Sequence, residues 1–195
     1  MRKLIVSEYL TLDGVMQAPG LPDEDLSGGF EHGGWQVPLM DEEAGSAITE
    51  GLTATGGMLL GRVTYETFAG YWPNAPADDA LAQTINSLPK YGVSTTLEEP
   101  LPWNNSHLIN GDVAKEVTKL KEEPGKDLRV IGSGELVQTL MEHDLVDEYD
   151  FMIYGIVLGS GKRLFRDGGP KIHLRLLDGE TSKTGVLMVS YEPES

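Results

Sequence analysis

Short apolar segments alternate along this chain with segments whose apolar residues recur at helical spacing. The apolar runs lie at 58–60, 91–94, 107–109 and 128–131, and helix-like segments follow three of them. Strands that alternate with helices are typical of a mainly parallel sheet, because each parallel connection needs a crossover that covers one face. The chain is therefore predicted to be an α/β protein, a three-layer sandwich with a mainly parallel sheet between layers of helices.

The helices are predicted from their spacing and from the residues at their ends. The first begins near Asp41, continues through small and apolar residues three and four apart, and ends at Gly56-Gly57. Further helices are expected at 63–69, from Asp78 or Asp79 to Leu88, from Asp112 to Glu122, and at 135–141. An aspartate at a helix start accepts hydrogen bonds from the free N–H groups there, so these aspartates are expected to be caps.

The remaining strands are predicted at both ends of the chain. A first strand covers 2–7 and a long strand covers 148–157. Two late stretches, 171–177 and 185–191, flank Asp178-Gly179, a pair of residues typical of a hairpin turn. We therefore expect an antiparallel C-terminal hairpin next to the parallel part of the sheet. A length of 195 residues is typical of one domain, which we assign to residues 1–195.

The charge of the chain limits its partners. Fifteen Lys and Arg stand against 31 Asp and Glu, a net charge of −16, which disfavours nucleic acid and anionic membranes as partners. No apolar run reaches the ~20 residues of a spanning helix, and the apolar start is too short for a signal peptide, so we expect a cytoplasmic protein. The absence of cysteine and the scattered histidines predict no metal site.

Arg62 stands where the buried run 58–60 gives way to a helix. A cation at a helix N-terminus lies at the unfavourable end of the helix dipole, so its position needs an explanation. An exposed pair with Glu66, four residues on, would stabilise the helix only slightly. A bound anion explains the position better, because free N–H groups and a guanidinium both attract it. Thr64, and Ser94-Thr95 at the end of the next strand, would add hydroxyl groups.

Two glycine-rich turns are candidate phosphate sites. Gly132-Ser133-Gly134 follows a strand and opens a helix, where backbone N–H groups can hold a phosphate, but a structural turn needs glycine there as well. Both interpretations stay open for this turn. Gly159-Ser160-Gly161-Lys162 lacks the glycine and the Ser or Thr of a nucleotide-triphosphate loop, since Ile156 and Arg163 occupy those positions. It is expected to be a tight turn carrying two cations.

Four motifs together resemble the dihydrofolate-reductase-like superfamily. In chain order they are Leu12-Asp13-Gly14, the string 60–68 (LGRVTYETF), the stretch 130–134 (VIGSG) and the stretch 157–165 (VLGSGKRLF). The branch that they resemble is the reductase domain of riboflavin biosynthesis, of the RibD C-terminal type. The resemblance covers nearly the whole chain. It implies a mixed, mainly parallel eight-stranded sheet and the binding of NADPH across the strand ends.

The resemblance also assigns the cofactor contacts. It implies that Gly61, Arg62 and Thr64 contact the cofactor's phosphates, with Ser94 and Thr95 near the adenosine 2′-phosphate. It places the pyrophosphate at Ile131, Gly132, Ser133, Gly134 and Glu135, and the loop from Asp13 and Gly14 over the nicotinamide. A homodimer is a further implication of the branch.

The substrate side departs from the superfamily. Trp35-Gln36-Val37-Pro38 resembles its Trp-x-x-Pro stretch, which makes Trp35 a candidate substrate contact, and Asp41 follows one residue later than the catalytic acid of dihydrofolate reductases. Asp41 is therefore a candidate acid and equally a candidate helix cap. Ile156 replaces a proline that is common in the branch.

Two functions from different classes follow. The first is an NADPH-dependent reductase that transfers a hydride to a pterin-like or pyrimidine-like heterocycle. Such a reaction needs the nicotinamide held close to an electrophilic carbon, exclusion of water and a proton. A glycine-rich mobile loop over an open pocket would suit it. The alternative is a nucleotide- or flavin-binding module without turnover, which the uncertain acid supports.

Overall fold

The fold is an eight-stranded sheet with helices, described for residues 1–194 in a computed structural model. The strands are β1 (Leu4–Thr11), β2 (Gly57–Gly61), β3 (Lys90–Val93), β4 (Ser106–Ile109), β5 (Leu128–Ile131), β6 (Glu148–Tyr154), β7 (Leu174–Thr181) and β8 (Leu187–Pro193). Their order in the sheet is β4-β3-β2-β5-β1-β6-β8-β7. The pairs β2–β3, β2–β5 and β3–β4 are parallel, whereas β6–β8 and β7–β8 are antiparallel. The predicted mixed, mainly parallel sheet is confirmed.

Within residues 1–194, five α-helices connect or follow the strands. They are α1 (Glu42–Ala54), α2 (Arg62–Tyr71), α3 (Ala80–Ser87), α4 (Val113–Glu122) and α5 (Gly134–Glu142). The side chain of Asp79 accepts hydrogen bonds from the first turn of α3, and that of Asp112 does so for α4. Both caps predicted from the sequence are thus confirmed. None of the helices described is long and apolar enough to span a bilayer.

The chain divides into two compact units. The first contains residues 1–6 and 48–147, and the second contains residues 7–47 and the chain from Glu148 on. Strand β1 crosses from one unit to the other after Val6. The single domain assigned to residues 1–195 stays a prediction.

Each unit has its own cluster of buried apolar side chains. In the first unit the cluster consists of Leu52, Met58, Leu60, Tyr65, Ile85 and Trp103, contributed by α1, β2, α2, α3 and the loop before β4. In the second unit it consists of Val15, Ala18, Phe30, Trp35, Tyr154 and Val186. Three of these residues, Phe30, Trp35 and Tyr154, are aromatic, and the long loop after β1 supplies most of the cluster. That loop is therefore part of the hydrophobic core.

The C-terminal hairpin turns later than the sequence indicated. Asp178-Gly179 lies inside β7, where the register with β8 shifts between Leu176 and Asp178. The turn follows at 182–185, closed by a hydrogen bond from the Gly185 N–H to the Ser182 carbonyl, and Gly185 has a φ of +87°. The prediction of a turn at Asp178-Gly179 was wrong because both residues pair with β8, opposite Ser190 and Val189, and the extra residue of the bulge is Leu177.

Two strand ends also differ from their predicted positions. β1 continues to Thr11, four residues beyond the predicted end at Ser7, although its sequence contains Ser7 and Glu8. β6 ends at Tyr154, earlier than Val157. The continuation of β1 was not predicted because it contains polar residues. One of them, Glu8, is buried in the sheet although its side chain is ionisable.

Candidate functional site

In the first unit, helix α2 begins at the end of β2 without a capping side chain. Its N-cap is Gly61, which is extended, with φ −65° and ψ 160°, and which has no side chain to accept from the first turn. The first N–H groups of a helix have no partner within the helix and carry its positive partial charge. This end of α2 can therefore receive hydrogen-bond acceptors from outside the chain.

Helix α5 begins in the same way at the end of β5. Its N-cap, Ser133, is left-handed, with φ 65° and ψ 41°, and its hydroxyl makes no capping bond to the helix. Gly132 just before it also has a positive φ, of 55°. A left-handed serine is uncommon and costs of order 1 kcal/mol or more, a strain that often accompanies functional sites. The turn thus leaves the α5 N-terminus open.

The Ser133 hydroxyl joins the two helix starts. Its Oγ accepts a hydrogen bond of 2.9 Å from the Gly61 N–H. The same Oγ lies 3.0 Å from Thr64 Oγ1 and 3.0 Å from the Ile131 carbonyl oxygen, so its one hydrogen can be donated to either. Because β2 and β5 are parallel neighbours, their carboxyl ends meet at one edge of the sheet. Four residues that the sequence assigned to the cofactor, Gly61, Thr64, Ile131 and Ser133, are thus in contact.

Gly132 is needed for this close approach. A Cβ atom at Gly132 would lie 3.3 Å from Thr64 Oγ1, tighter than normal contacts, and the φ of +55° disfavours any side chain. The glycine keeps the backbone of the turn close to α2. Two open helix N-termini are thereby held side by side, and we call this arrangement, Gly61–Thr64 with Ile131–Gly134, the helix-start junction.

Arg62 is the first residue of α2 and is about half exposed. Its Nη1 lies 2.7 Å from Glu66 Oε2, an i,i+4 pair in which both side chains are close to 50% exposed, at 47% and 50%. Exposed pairs of this type contribute little to stability, typically below ~1 kcal/mol. The guanidinium is therefore accessible at the junction, and its present partner can be exchanged for another anion at low cost.

Two residues with hydroxyl groups, Ser94 and Thr95, follow the end of β3. Val93 pairs with Gly61, so Ser94 and Thr95 follow at the same edge of the sheet. Ser94 Oγ accepts hydrogen bonds of 3.0 Å from the N–H groups of Thr96 and Leu97, and it shapes the turn after β3. Thr95 is exposed. Of the two predicted contacts, Thr95 offers a free surface, whereas Ser94 is engaged in holding the turn.

Glu135 limits how an anion can lie at α5. It is exposed in the first turn of this helix, where a carboxylate is favourable to the helix dipole but repels a phosphate. The part of residues 131–135 that suits an anion is therefore the backbone N–H groups.

In the second unit, Asp13 fastens two loops together. Its carboxylate accepts hydrogen bonds from Thr11 Oγ1 at 2.6 Å, from the Gly159 N–H at 2.8 Å and from the Leu158 N–H at 3.2 Å. These bonds, that of Thr11 first, lower the pKa of Asp13 to about 2. Gly14 next to it has a φ of +78° and closes a turn back to the Thr11 carbonyl. Asp13 therefore has a structural task whatever it does for a ligand.

The loop after Asp13 is held at several further points. Val15 forms a bridge with Arg163, whose Nε donates to the Asp13 carbonyl at 2.8 Å. Lys162 pairs with Asp25 at 2.7 Å, and the Lys162 N–H donates to Gln17 Oε1. Lys162 and Arg163, the two cations at this turn, therefore both contact the loop. These contacts hold the loop in place, whereas its glycines suggested a mobile loop.

Asp41 has the contacts of a helix cap. Its Oδ1 accepts from the Ala44 N–H at 2.9 Å, and its Oδ2 accepts from the N–H and the hydroxyl of Thr184 at 2.9 and 3.0 Å. These hydrogen bonds, that from Ala44 first, hold the pKa of the Asp41 carboxyl well below its usual range. A group that keeps its charge so strongly is a poor proton donor at neutral pH. The geometry thus favours capping, the second interpretation of this residue.

Trp35 lies in the core of the second unit with 6% of its surface exposed. Its Nε1 donates to the Gln17 carbonyl at 2.8 Å, and its ring packs edge-on against Tyr154 with centroids 5.5 Å apart. The neighbouring Gln36, also buried, donates to the Tyr154 hydroxyl at 2.8 Å. Sequence reasoning passed over Gln36 and Tyr154, because only the fold brings them together across 118 positions.

Glu8 is a further residue that the sequence analysis missed. Its side chain is 3% exposed, and its Oε1 has no hydrogen-bond partner within residues 1–194. Burial raises the pKa of Glu8 well above its ordinary value, because the interior disfavours the charged carboxylate. The sequence signal that could have identified Glu8 was the presence of an acidic residue inside an apolar strand. No group of three or more His, Asp or Glu that could hold a metal occurs in the described part of the chain.

Comparisons with known proteins identify the family and the fold of the chain. The family described as RibD C-terminal domain matches residues 2–188. The uncharacterized protein YyaP of Bacillus subtilis is 31% identical over 193 residues, 97% of this chain and 94% of the relative. A pyrimidine reductase-like protein of Corynebacterium diphtheriae has a similar structure, with a TM-score of 0.66 at 10% identity, covering 100% of this chain and 92% of that one.

A further structural neighbour is a longer protein of Thermotoga maritima. It is a diaminohydroxyphosphoribosylaminopyrimidine deaminase/5-amino-6-(5-phosphoribosylamino)uracil reductase, with a TM-score of 0.63 at 13% identity. The match covers 99% of this chain and 57% of that protein, so this chain corresponds to part of it. At these identities the two structural matches establish the fold, which is dihydrofolate-reductase-like as the resemblance implied.

Proposed function

The chain belongs to the RibD C-terminal domain family, and from this premise we propose that it is an NADPH-dependent reductase acting on a pterin-like or pyrimidine-like heterocycle. Two structural neighbours are described as a pyrimidine reductase-like protein and a uracil reductase, which supports a heterocyclic substrate. The proposal extends the family assignment to a cofactor, a reaction and a substrate class.

The helix-start junction is the observation that carries the proposal. Two adjacent parallel strands end in helices whose first N–H groups receive no capping side chain, and Ser133 holds the two ends together. One open helix N-terminus can accept one phosphate group. Two held side by side suit the two linked phosphates of a dinucleotide.

The residues of the junction fit NADPH in charge and in space. Gly132 keeps side chains away from the turn, and Arg62 adds a cation whose partner, Glu66, is exposed. In an acidic chain of net charge −16, such a local cluster of donors is what an anionic cofactor requires. Bound NADPH would supply the hydride, while the chain would orient it and exclude water.

The protein residues can be given separate tasks under this proposal. Backbone N–H groups at the starts of α2 and α5 would bind the pyrophosphate. Arg62 and Thr95, at neighbouring strand ends, would bind a further phosphate on the adenosine ribose, and Ser94 would hold the turn that presents Thr95.

Cofactor preference gives the first test. If Arg62 and Thr95 contact a 2′-phosphate, NADPH should bind about ten- to a hundredfold more tightly than NADH, the effect of one charge-assisted hydrogen bond of ~1.5–3 kcal/mol. Isothermal titration calorimetry of the two reduced cofactors measures this ratio. Equal dissociation constants would contradict the assignment of these residues to a 2′-phosphate.

Turnover distinguishes the reductase from the module that only binds. Absorbance at 340 nm would be followed with NADPH and either 7,8-dihydrofolate or 5-amino-6-(5-phosphoribosylamino)uracil as hydride acceptor. Oxidation of NADPH above the rate without acceptor supports the reductase. Tight NADPH binding with no oxidation by pterins or aminopyrimidines would favour the binding module.

The role of Asp41 is tested by Asp41→Asn. Both oxygens of Asp41 accept hydrogen bonds in the cap. Asparagine should lose the contact with Thr184, because its amide NH₂ cannot accept from the Thr184 N–H. We therefore expect a lower Tm with the rate of NADPH oxidation within a few-fold of wild type. A fall in turnover of about a hundredfold or more at unchanged NADPH affinity would instead make Asp41 the acid.

A further inference from the structure

A short connection joins β4 to α4, and both of its ends are fixed by hydrogen bonds. At the strand end, the Ile109 carbonyl accepts from the Ser94 N–H at 3.0 Å. At the helix end, the Asp112 carboxylate accepts from the first turn of α4 at 3.0 Å. Asn110 and Gly111 lie between these two points, outside any strand or helix, and both are exposed. They are therefore the part of the connection that is open to solvent.

The groups of Asn110 and Gly111 that can react with each other are unrestrained. Neither the side-chain amide of Asn110 nor the N–H of Gly111 forms a hydrogen bond within residues 1–194. A Cβ atom placed at Gly111 would have no heavy atom within 4 Å, so the space around this backbone is open. Glycine has no side chain to hinder its own nitrogen or to restrict its backbone. The Gly111 nitrogen can therefore approach the side-chain carbonyl carbon of Asn110.

The other four asparagines of the sequence lack this combination. The Nδ2 atoms of Asn74, Asn86 and Asn105 donate to backbone carbonyls at 2.9, 2.9 and 3.0 Å. Asn104 is exposed and forms no hydrogen bond among the described residues, but the residue after it, Asn105, carries a side chain. A free side-chain amide followed by glycine therefore occurs at Asn110 and at no other asparagine that the structure describes.

We propose that Asn110 is a site of spontaneous deamidation. The Gly111 nitrogen loses its proton to hydroxide and attacks the side-chain carbonyl carbon of Asn110. A new C–N bond forms and closes a succinimide ring, while the bond to the amide nitrogen breaks and ammonia leaves with a proton taken from water. Water then opens the ring at either of its carbonyl groups, which gives aspartate or isoaspartate. The net reaction consumes one water and releases one ammonia, with no change of oxidation state.

Both products place a carboxylate two residues before Asp112, the cap of α4. A negative charge near the N-terminal end of a helix is favourable to the helix dipole, so the charge itself does not oppose the fold of α4. In isoaspartate the main chain passes through the former side chain, and the connection between β4 and α4 gains one methylene group. Neither Asn110 nor Gly111 belongs to the helix-start junction, so the reaction does not depend on the proposed reductase.

Ageing of the full chain tests the proposal. The folded protein is kept in mildly alkaline buffer for several weeks, then denatured, digested with trypsin and analysed by tandem mass spectrometry. Cleavage after Lys90 and Lys115 yields one peptide that contains Asn110 together with Asn104 and Asn105. We expect this peptide to gain one dalton at Asn110 and to keep its mass at the other two asparagines. The same peptide from the aged chain should accept a methyl group from a protein isoaspartyl methyltransferase, and that from the fresh chain should not.

Two variants assign the reaction to this pair of residues. Asn110→Gln should abolish the gain in mass at this position, because the attack would have to close a larger and less favourable ring. Gly111→Ala should slow the gain several-fold, because a methyl group hinders the attacking nitrogen. The φ of Gly111 lies outside the left-handed region, so alanine fits there without strain and the variant is a matched control.

Three results would overturn the proposal. One is an unchanged mass at Asn110 in the aged wild-type chain. Another is a gain in mass at Asn104 or Asn105 that precedes any gain at Asn110. The third is an equal rate in Gly111→Ala and in the wild-type chain, because the reaction would then not proceed through the Gly111 nitrogen.

Discussion

Arg62→Ala is expected to bind NADPH about ten- to a hundredfold more weakly than the wild-type protein, because a charge-assisted hydrogen bond of ~1.5–3 kcal/mol is lost. Its Tm without cofactor should stay close to that of the wild type. The side chain is 47% exposed and has one exposed partner, Glu66, so the fold loses little with it. Calorimetry for the affinity and a thermal melt of the ligand-free protein check the two parts separately.

Glu66→Gln is the matched control for this variant. It removes the carboxylate that pairs with Arg62 at 2.7 Å but leaves the guanidinium in place. NADPH should then bind as tightly as before or more tightly, and added salt should weaken the wild-type affinity through screening. A large loss of Tm in Arg62→Ala at unchanged NADPH affinity would show that Arg62 serves the helix and not a ligand.

Asp13→Ala is expected to lower the free energy of unfolding by roughly 1–3 kcal/mol, the cost of leaving partly buried donors without an acceptor. The variant removes the acceptor for the Leu158 and Gly159 N–H groups and for the Thr11 hydroxyl. It thereby removes the carboxylate contacts between the loop after β1 and the turn at 157–163, while the contacts of Lys162 and Arg163 remain. Chemical denaturation gives the free energy, and amide hydrogen exchange at 158 and 159 should become faster.

The pH dependence of stability provides an independent measurement of Asp13. The pKa of Asp13 is about 2 in the folded chain and 3.8 ordinarily, so the folded state holds its charged form more strongly. This contribution is complete above about pH 4 and is lost as the pH falls towards 2. Asp13→Ala should therefore lose less stability over that range than the wild type. Asp23→Ala, at an exposed position of the same loop, should follow the wild-type curve.

Local patterns predicted the elements of this fold well. The alternation of apolar runs and helical spacing identified the parallel strands, and Asp79 and Asp112 cap α3 and α4 as the sequence indicated. Such features depend on residues a few positions apart, whose hydrogen bonds form within one element. The hairpin turn was misplaced because Asp178-Gly179 is typical of a turn, whereas pairing with β8 keeps both residues inside the strand.

Sequence also located the two helix starts and the basic residue beside them. Arg62 stands out because a cation at a helix start lies at the unfavourable end of the helix dipole, and the turn at 132–134 stands out because it opens a helix directly after a strand. That these two turns touch could not be read from the chain. Ser133 Oγ and the Gly61 N–H are 72 positions apart, and only the parallel pairing of β2 with β5 places them 2.9 Å from each other.

The sequence by itself determined the family and the strand and helix pattern, and it led to the prediction of anion binding at residues 61–64 and 132–134, since each depends on residue type and short spacing. Tertiary structure alone decided which polar groups are satisfied. Within residues 1–194, both oxygens of Asp41 accept from Ala44 and Thr184, Glu8 is buried without a partner for Oε1, and Lys90 is enclosed without a carboxylate. The physical reason is that burial and long-range hydrogen bonds set the energy of a charge, and both depend on strands and loops that are distant in the chain.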